Sequence, residues 1–242
     1  MNKLKQAIAI ALLTFFAMSV NAQVKKPVTK KATVTKNKVV TKAPVVKKEP
    51  GIRVKLTTDS GVIIIRLYDK TPKHRDNFVK LVNAKFFDSL LFHRVINQFM
   101  IQGGDPQSKT APSGAMLGSG DVGYTIPAEF DTSLFHKKGA LSAARTDNPQ
   151  KASSGCQFYI VQGKTYTDAE LNMMEQQMNI KFSPKKRKAY KTIGGTPFLD
   201  MNYTVFGEVE SGFEVIDKIA MVAKDPYDRP LGDIHMYAQL IK

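Results

Sequence analysis

Phe92-His93-Arg94-Val95-Ile96, followed closely by Phe99-Met100-Ile101-Gln102-Gly103-Gly104-Asp105, sets one arginine beside a group of apolar side chains and an amide. Arg94 keeps its charge at any physiological pH and offers five donors in a fixed fork. Phe99 and Met100 offer apolar, polarisable surface. Such a combination suits an uncharged amide substrate. Gly155-Cys156-Gln157-Phe158-Tyr159-Ile160-Val161 adds a second amide and another ring, and Phe198-Leu199-Asp200 adds more apolar surface. Period two along the former segment puts Gln157 and Tyr159 on one strand face and Phe158 and Ile160 on the other.

Other chemistries lack their residues. His74, His93, His136 and His235 are widely spaced, with no cysteine or paired carboxylate in a ligand pattern, so no metal is expected. His93 alternates with Arg94 along a strand and is expected to face the core as a hydrogen-bonded structural histidine. Cys156 is the single cysteine; without a neighbouring base it reads as a quiet structural thiol, and no intramolecular disulfide can form. Gly118-Ser119-Gly120-Asp121-Val122-Gly123 matches the spacing of a dinucleotide fingerprint, but Pro112-Ser113-Gly114 precedes it and Tyr124-Thr125-Ile126-Pro127 follows. It lacks the required strand and helix, so it is a loop and no cofactor is expected. No Ser/His/Asp nucleophile motif appears.

With Ala140-Leu141-Ser142-Ala143-Ala144-Arg145 and Val205-Phe206-Gly207-Glu208-Val209, the three segments above resemble, in order from about Ile52 to the C-terminus, the cyclophilin family of peptidyl-prolyl cis/trans isomerases. The reaction fits the side chains. The X-Pro bond is a tertiary amide with a rotation barrier near 18–20 kcal/mol, and it exchanges unaided in tens to hundreds of seconds. As the bond twists, the proline nitrogen gains a lone pair. A cation that donates to it, the role expected of Arg94, stabilises the twisted state more than the planar one. The resemblance implies a proline pocket of Phe99, Met100, Tyr159 and Leu199, with Gln102 and Gln157 ordering the substrate carbonyl and Arg94. It also implies that Ala144 and Arg145 line a neighbouring subsite through backbone groups. Phe198 stands where many cyclophilins have tryptophan and Tyr203 where histidine is frequent, which implies weakened cyclosporin binding. The alternative is a proline-peptide-binding chaperone module with incidental turnover.

The elements that must hold these groups are mostly strands. Runs at Ile52 to Thr57, Val62 to Tyr68, Leu91 to Ile96, Ala140 to Ala144, Gln157 to Val161, Thr204 to Val209 and Ile234 to Ile241 predict a mainly β protein, and a turn at Asp59-Ser60-Gly61 makes the first two a hairpin. Thr71-Pro72 supplies a cap and a first-turn proline for a helix carrying Phe78, Leu81 and Val82, and a second helix carries Val215, Ile216 and Ile219. The resemblance sharpens this to a closed eight-stranded antiparallel barrel with two capping helices. A helical insertion at about 165–197, bordering the groove of Tyr159 and Phe198, is predicted by the Thr167/Glu170 capping box, by Leu171, Met174 and Met178 on one face, and by Ser183-Pro184. Its methionines are expected to pack the insertion, and Lys185-Lys186-Arg187-Lys188 to form a solvated face.

The chain of 242 residues carries a net charge of +15, but unevenly: residues 1–50 hold eleven lysines against the single Glu49. Lys3 and Lys5, an apolar run from Ala7 to Met18 and Val20-Asn21-Ala22 mark a signal peptide (1–22) cleaved after Ala22. The run is too short to span a bilayer. Residues 23–50, with Val-Thr-Lys recurring, read as an extended basic linker able to touch anionic envelope weakly. The isomerase domain is placed at 51–242. An exported, periplasmic or secreted monomer is expected, acting on proline-containing unfolded or newly exported polypeptides, with no nucleic-acid partner.

Overall fold

The computed structural model describes residues 50–242; the signal-peptide and linker expectations fall on 1–49, outside the described residues. Strands β1 (Arg53–Thr58) and β2 (Gly61–Leu67) form the hairpin, with Thr58 opposite Gly61. They join β3 (Leu90–Ile96), β4 (Met100–Gly103), β6 (Ala140–Ala143), β8 (Phe158–Val161), β9 (Val205–Ser211) and β10 (His235–Ile241). These eight close a barrel in the order β1-β10-β3-β4-β8-β6-β9-β2, every pair antiparallel. The short β5 (Thr125–Ile126) and β7 (Ser153–Ser154) pair outside it.

The barrel interior is solid. Phe158 is 1 % exposed, and its ring meets Phe78, Phe87 and Phe92 edge to face, with centroids 5.5, 5.5 and 6.4 Å away. Val54, Leu56, Ile63, Ile65, Val95, Ile101 and Ile160 fill the rest. Helices α1 (Pro72–Asn83) and α4 (Phe213–Ala220) contribute Phe78, Leu81, Val82, Val215, Ile216 and Ile219 to the same cluster. Thr71 does not cap α1 with its side chain. The distant Glu129 does so: its carboxylate accepts the amide protons of Lys73 and His74 (both 3.0 Å) and contacts His74 Nδ1 (2.7 Å). An acidic group at a helix N-terminus satisfies free N–H groups and the helix dipole together.

The insertion forms α2 (Asp168–Met178) and α3 (Pro184–Thr192), the first opened by the predicted capping box. Leu171, Phe182 and Tyr190 build a separate small core with Phe135 and Tyr166; Met174 packs on its edge. The predicted solvated face is only half solvated. Lys186 pairs with Asp200 (2.8 Å), and Arg187 pairs with Glu175 (3.1 Å) and Asp168 (2.9 Å), because the buried carboxylates of Asp200 and Glu175 demand partners. The chain leaves and re-enters the barrel at one narrow neck. At Gly163 (φ +65°) an added Cβ would lie 2.4 Å from Gly195 Cα, so only glycine permits the approach.

Phe158→Ala is expected to lower stability by about 3–5 kcal/mol through loss of a fully buried ring shared by α1, β3 and β8. Urea unfolding followed by circular dichroism measures the change.

Candidate active site

With the interior filled, the outward side chains of β3, β4, β6 and β8 carry a second cluster on the barrel surface. Met100, Ala144, Tyr159 and Val205 are buried there, with Phe99, Leu199 and Tyr203 partly buried against them. All of these but Val205 wall a cavity of about 340 Å³ together with Arg94, Gln102 and Arg145. Nine of the eleven predicted site residues therefore line one space: Arg94, Phe99, Met100, Gln102, Ala144, Arg145, Tyr159, Leu199 and Tyr203. Phe198 stands at its rim, 41 % exposed and stacked on Phe99 at 5.7 Å. Gln157 lies behind the wall, in an adjoining cavity of about 200 Å³ that also reaches Gln102, Ala144 and Arg145. Arg145 contributes more than backbone. Its guanidinium lies 4.8 Å from the Tyr203 ring centre and donates to the carbonyls of Asn202 (3.1 Å) and Thr146 (3.2 Å).

The polar groups form a line. Gln157 Nε2 donates to the carbonyls of Gly118 (3.0 Å) and Gly120 (2.8 Å), so its Oε1 is turned toward Gln102 Nε2 (3.1 Å). Gln102 in turn presents Oε1 to Arg94 Nη1 at 3.5 Å. Arg94 Nε lies 3.8 Å from Asp228, and among the described residues no side chain accepts from Nη2. The guanidinium is thus steered from two sides with donors left over for a ligand, and its side chain is 42 % exposed.

The glycines that mimic a dinucleotide fingerprint serve this line. Buried Asp105 accepts the backbone N–H groups of Gly118 and Gly120 (3.3 Å), and a Cβ on Gly120 would fall 1.9 Å from Asp105 Oδ1. The loop wraps a carboxylate and offers its carbonyls to Gln157. Nothing in the spacing of Asp105 along the sequence marks it as an anchor. The far wall, made by Ala115, Met116, Leu117, Asp225, Tyr227 and Arg229, also escaped sequence reasoning, since both segments are loops without periodicity.

His93 corrects the sequence reading. The β3–β4 register slips between Phe92 and Arg94, so His93 is the extra residue of a bulge rather than one step of a regular alternation. Phe92 and Val95 keep their places in the core, while His93 lines the same cavity as Arg94. It is 4 % exposed, and among the described residues neither ring nitrogen has a hydrogen-bond partner. Burial, with the charges of Arg94 and Arg229 adding to it, pushes its pKa down to about 4. Cys156 behaves as expected: it is buried, and desolvation raises its thiol to about 11.

A histidine that stays neutral in the fold but protonates when unfolded makes the unfolded chain the stronger proton binder. Stability therefore falls as pH drops from about 6.5 toward 4, by up to about 3 kcal/mol for His93 alone. His74 and His136, also held below the usual histidine range chiefly by burial, act in the same direction. His93→Gln is expected to flatten the fall between pH 7 and 4.5 by about 2–3 kcal/mol, read from urea unfolding at both values.

Comparison with known proteins agrees with this geometry. The cyclophilin-type peptidyl-prolyl cis-trans isomerase/CLD family matches residues 53–239. A relative from Staphylococcus aureus (strain USA300), assigned as a peptidyl-prolyl cis-trans isomerase, is 36 % identical over 184 residues, spanning 76 % of this chain and 88 % of its own length. One from Staphylococcus haemolyticus with the same assignment is 35 % identical and covered to 87 %. Among solved structures, a Cryptosporidium parvum cyclophilin-type isomerase superposes with a TM-score of 0.57 at 21 % identity, covering 79 % of this chain and 98 % of that one. The same protein in the presence of the dipeptide Ala-Pro gives 0.56 at 21 % identity, covering 78 % and 99 %. A closed barrel, an outward cavity with one apolar wall and a family match across the folded part place the chain in the cyclophilin-type peptidyl-prolyl cis-trans isomerase family.

Proposed function

We propose that the protein isomerises X-Pro bonds in unfolded or newly exported polypeptides without covalent chemistry, with Arg94 stabilising the twisted amide. The observation that carries this reading is the fixed line from Gly118 and Gly120 through Gln157 and Gln102 to Arg94, beside the apolar wall of Phe99, Met100, Tyr159 and Leu199 in a cavity roomy enough for a prolyl ring. The flat prolyl ring enters among Phe99, Met100, Tyr159 and Leu199, which cannot hydrogen-bond it and so gain by excluding water. Arg94 then donates to the nitrogen as it becomes pyramidal. That hydrogen bond is worthless to the planar ground state, whose nitrogen lone pair is delocalised, so it lowers the barrier rather than tightening binding. Gln102 holds the guanidinium in place, and Gln157 holds Gln102. Ala144 and Arg145 border the residue before proline; Phe198 and Tyr203 edge the groove. The Cryptosporidium parvum isomerase was solved in the presence of the dipeptide Ala-Pro, which supports a proline-containing ligand here. Neutral His93 cannot serve as a proton donor at physiological pH, and the reaction requires none.

Export rests on the sequence of residues 1–22, and the basic segment 23–50 is the part available for weak contact with anionic envelope. The enzyme is proposed to act as a monomer outside the cytoplasm, with no cofactor.

Arg94→Ala is expected to lower kcat/KM for an X-Pro peptide by about 10²–10³ with an unchanged unfolding midpoint, since the side chain is half-exposed and lies outside the core. A protease-coupled assay decides it; full turnover by the folded variant would favour a binding module over this mechanism. In a secreting bacterial host, mass spectrometry of the mature protein should find Gln23 as its first residue, and deletion of 23–50 should leave short-peptide turnover unchanged.

A further inference from the structure

We infer that α3 of the insertion is a positioning element of the proline pocket, acting through a buried chain from Tyr190 and Lys186 to Asp200, His136 and the Tyr159 hydroxyl. The inference rests on the assignment of Tyr159 to that pocket. Tyr159 is 5 % exposed, and its hydroxyl lies 3.0 Å from His136 Nε2. His136 Nδ1 lies 3.0 Å from Asp200 Oδ1, which also accepts the Tyr190 hydroxyl (2.9 Å) and the His136 backbone N–H (3.0 Å). Lys186 Nζ donates to Asp200 Oδ2 at 2.8 Å.

The direction of every proton follows from the end of the chain. Burial alone would raise the Asp200 carboxyl, but the hydrogen bonds from His136 and Lys186 outweigh it and keep the group ionised. An ionised carboxylate only accepts, so Nδ1 of His136 carries the proton and Nε2 is left as an acceptor. The Tyr159 hydroxyl must therefore donate inward, away from the cavity. This fixes the ring edge that faces solvent space as carbon, a suitable surface for a prolyl ring. The His136 ring lies within 13° of parallel to Tyr159, and Tyr203 meets it edge on at 5.8 Å, so rotation of the tyrosine is opposed on both sides.

Asp200 also adjoins Leu199, another wall of the cavity, and its backbone N–H closes the Pro197–Leu199 turn (3.2 Å). One residue thereby meets two pocket walls, the Tyr159 wall through its carboxylate and the Leu199 wall through its backbone, and two of the carboxylate's donors come from α3. Tyr190 and Lys186 are four residues apart, on one face of that helix, while the Tyr190 ring is buried against Phe135, Tyr166 and Phe182. The insertion core is thus a rigid mount from which the pocket is held.

A double-mutant cycle tests this. Tyr190→Phe is expected to raise KM for an X-Pro tetrapeptide, and the Kd of an Ala-Pro-containing peptide by titration, about threefold to tenfold, with kcat within about twofold. In the Tyr159→Phe background, where the hydroxyl at the end of the chain is gone, the same change should move both constants less than twofold. Lys186→Met, which leaves the buried aromatic core untouched, runs through the same cycle should Tyr190→Phe unfold. Equal effects in both backgrounds, or an unchanged Kd in a folded Tyr190→Phe protein, overturn the inference. The Kd arm reads binding without turnover, so a failed Arg94 mechanism and a failed link from α3 give different results.

Discussion

The barrel is closed and full, and this constraint decides where everything else can be. Eight strands leave no sheet edge, and the Phe78, Phe87, Phe92 and Phe158 rings leave no room inside. Chemistry is confined to the outward-facing side chains. A strand that buries Phe158 and Ile160 must turn Tyr159 outward, so the pleat that packs the core also supplies the ligand surface. A loss of register in β8 would exchange the two faces and damage stability and function together.

Electrostatically the site is unlike one built for proton transfer. The histidines beside it, His93 and His136, are buried and held below the usual histidine range, and the cations that line it, Arg94, Arg145 and Arg229, are guanidiniums. Two buried carboxylates organise the surroundings from opposite sides. Asp105 gathers the N–H groups of a glycine loop, whose carbonyls orient Gln157; Asp200 gathers donors from β6's flank and from α3. Each sits in low dielectric with several donors, the circumstance in which a buried anion is tolerable and its partners are costly to remove.

Much of this was legible in sequence because it rests on periodicity or on contiguous motifs. The alternation of Gln157 to Ile160, the hairpin around Asp59-Ser60-Gly61 and the Thr167–Glu170 capping box are all local patterns. What was missed depends on contacts between distant segments. The bulge at His93 is a register event between two strands, and β4, whose Met100–Gly103 run is only four residues long, gave no separate strand signal. Glu129 displaced Thr71 as the cap of α1 from across the fold. Lys186 and Arg187 look like solvated charge until Asp200 and Glu175 are brought beneath them.

The neck where Gly163 meets Gly195 has a consequence for how such a chain can change over generations. Gly195 pairs with both Lys137 and Lys164, so the insertion departs and returns at a single closed point on the barrel. Because the ends already touch, the length of chain between them adds little to the entropy of closing the rest of the fold. The neck is a graft junction: material between its two glycines can be lengthened, exchanged or trimmed without re-registering a strand. The side chains that reach back to Asp200, together with the Tyr190 ring packed edge-on against Phe135, tie the present graft to its host, and they define what a replacement would have to reproduce.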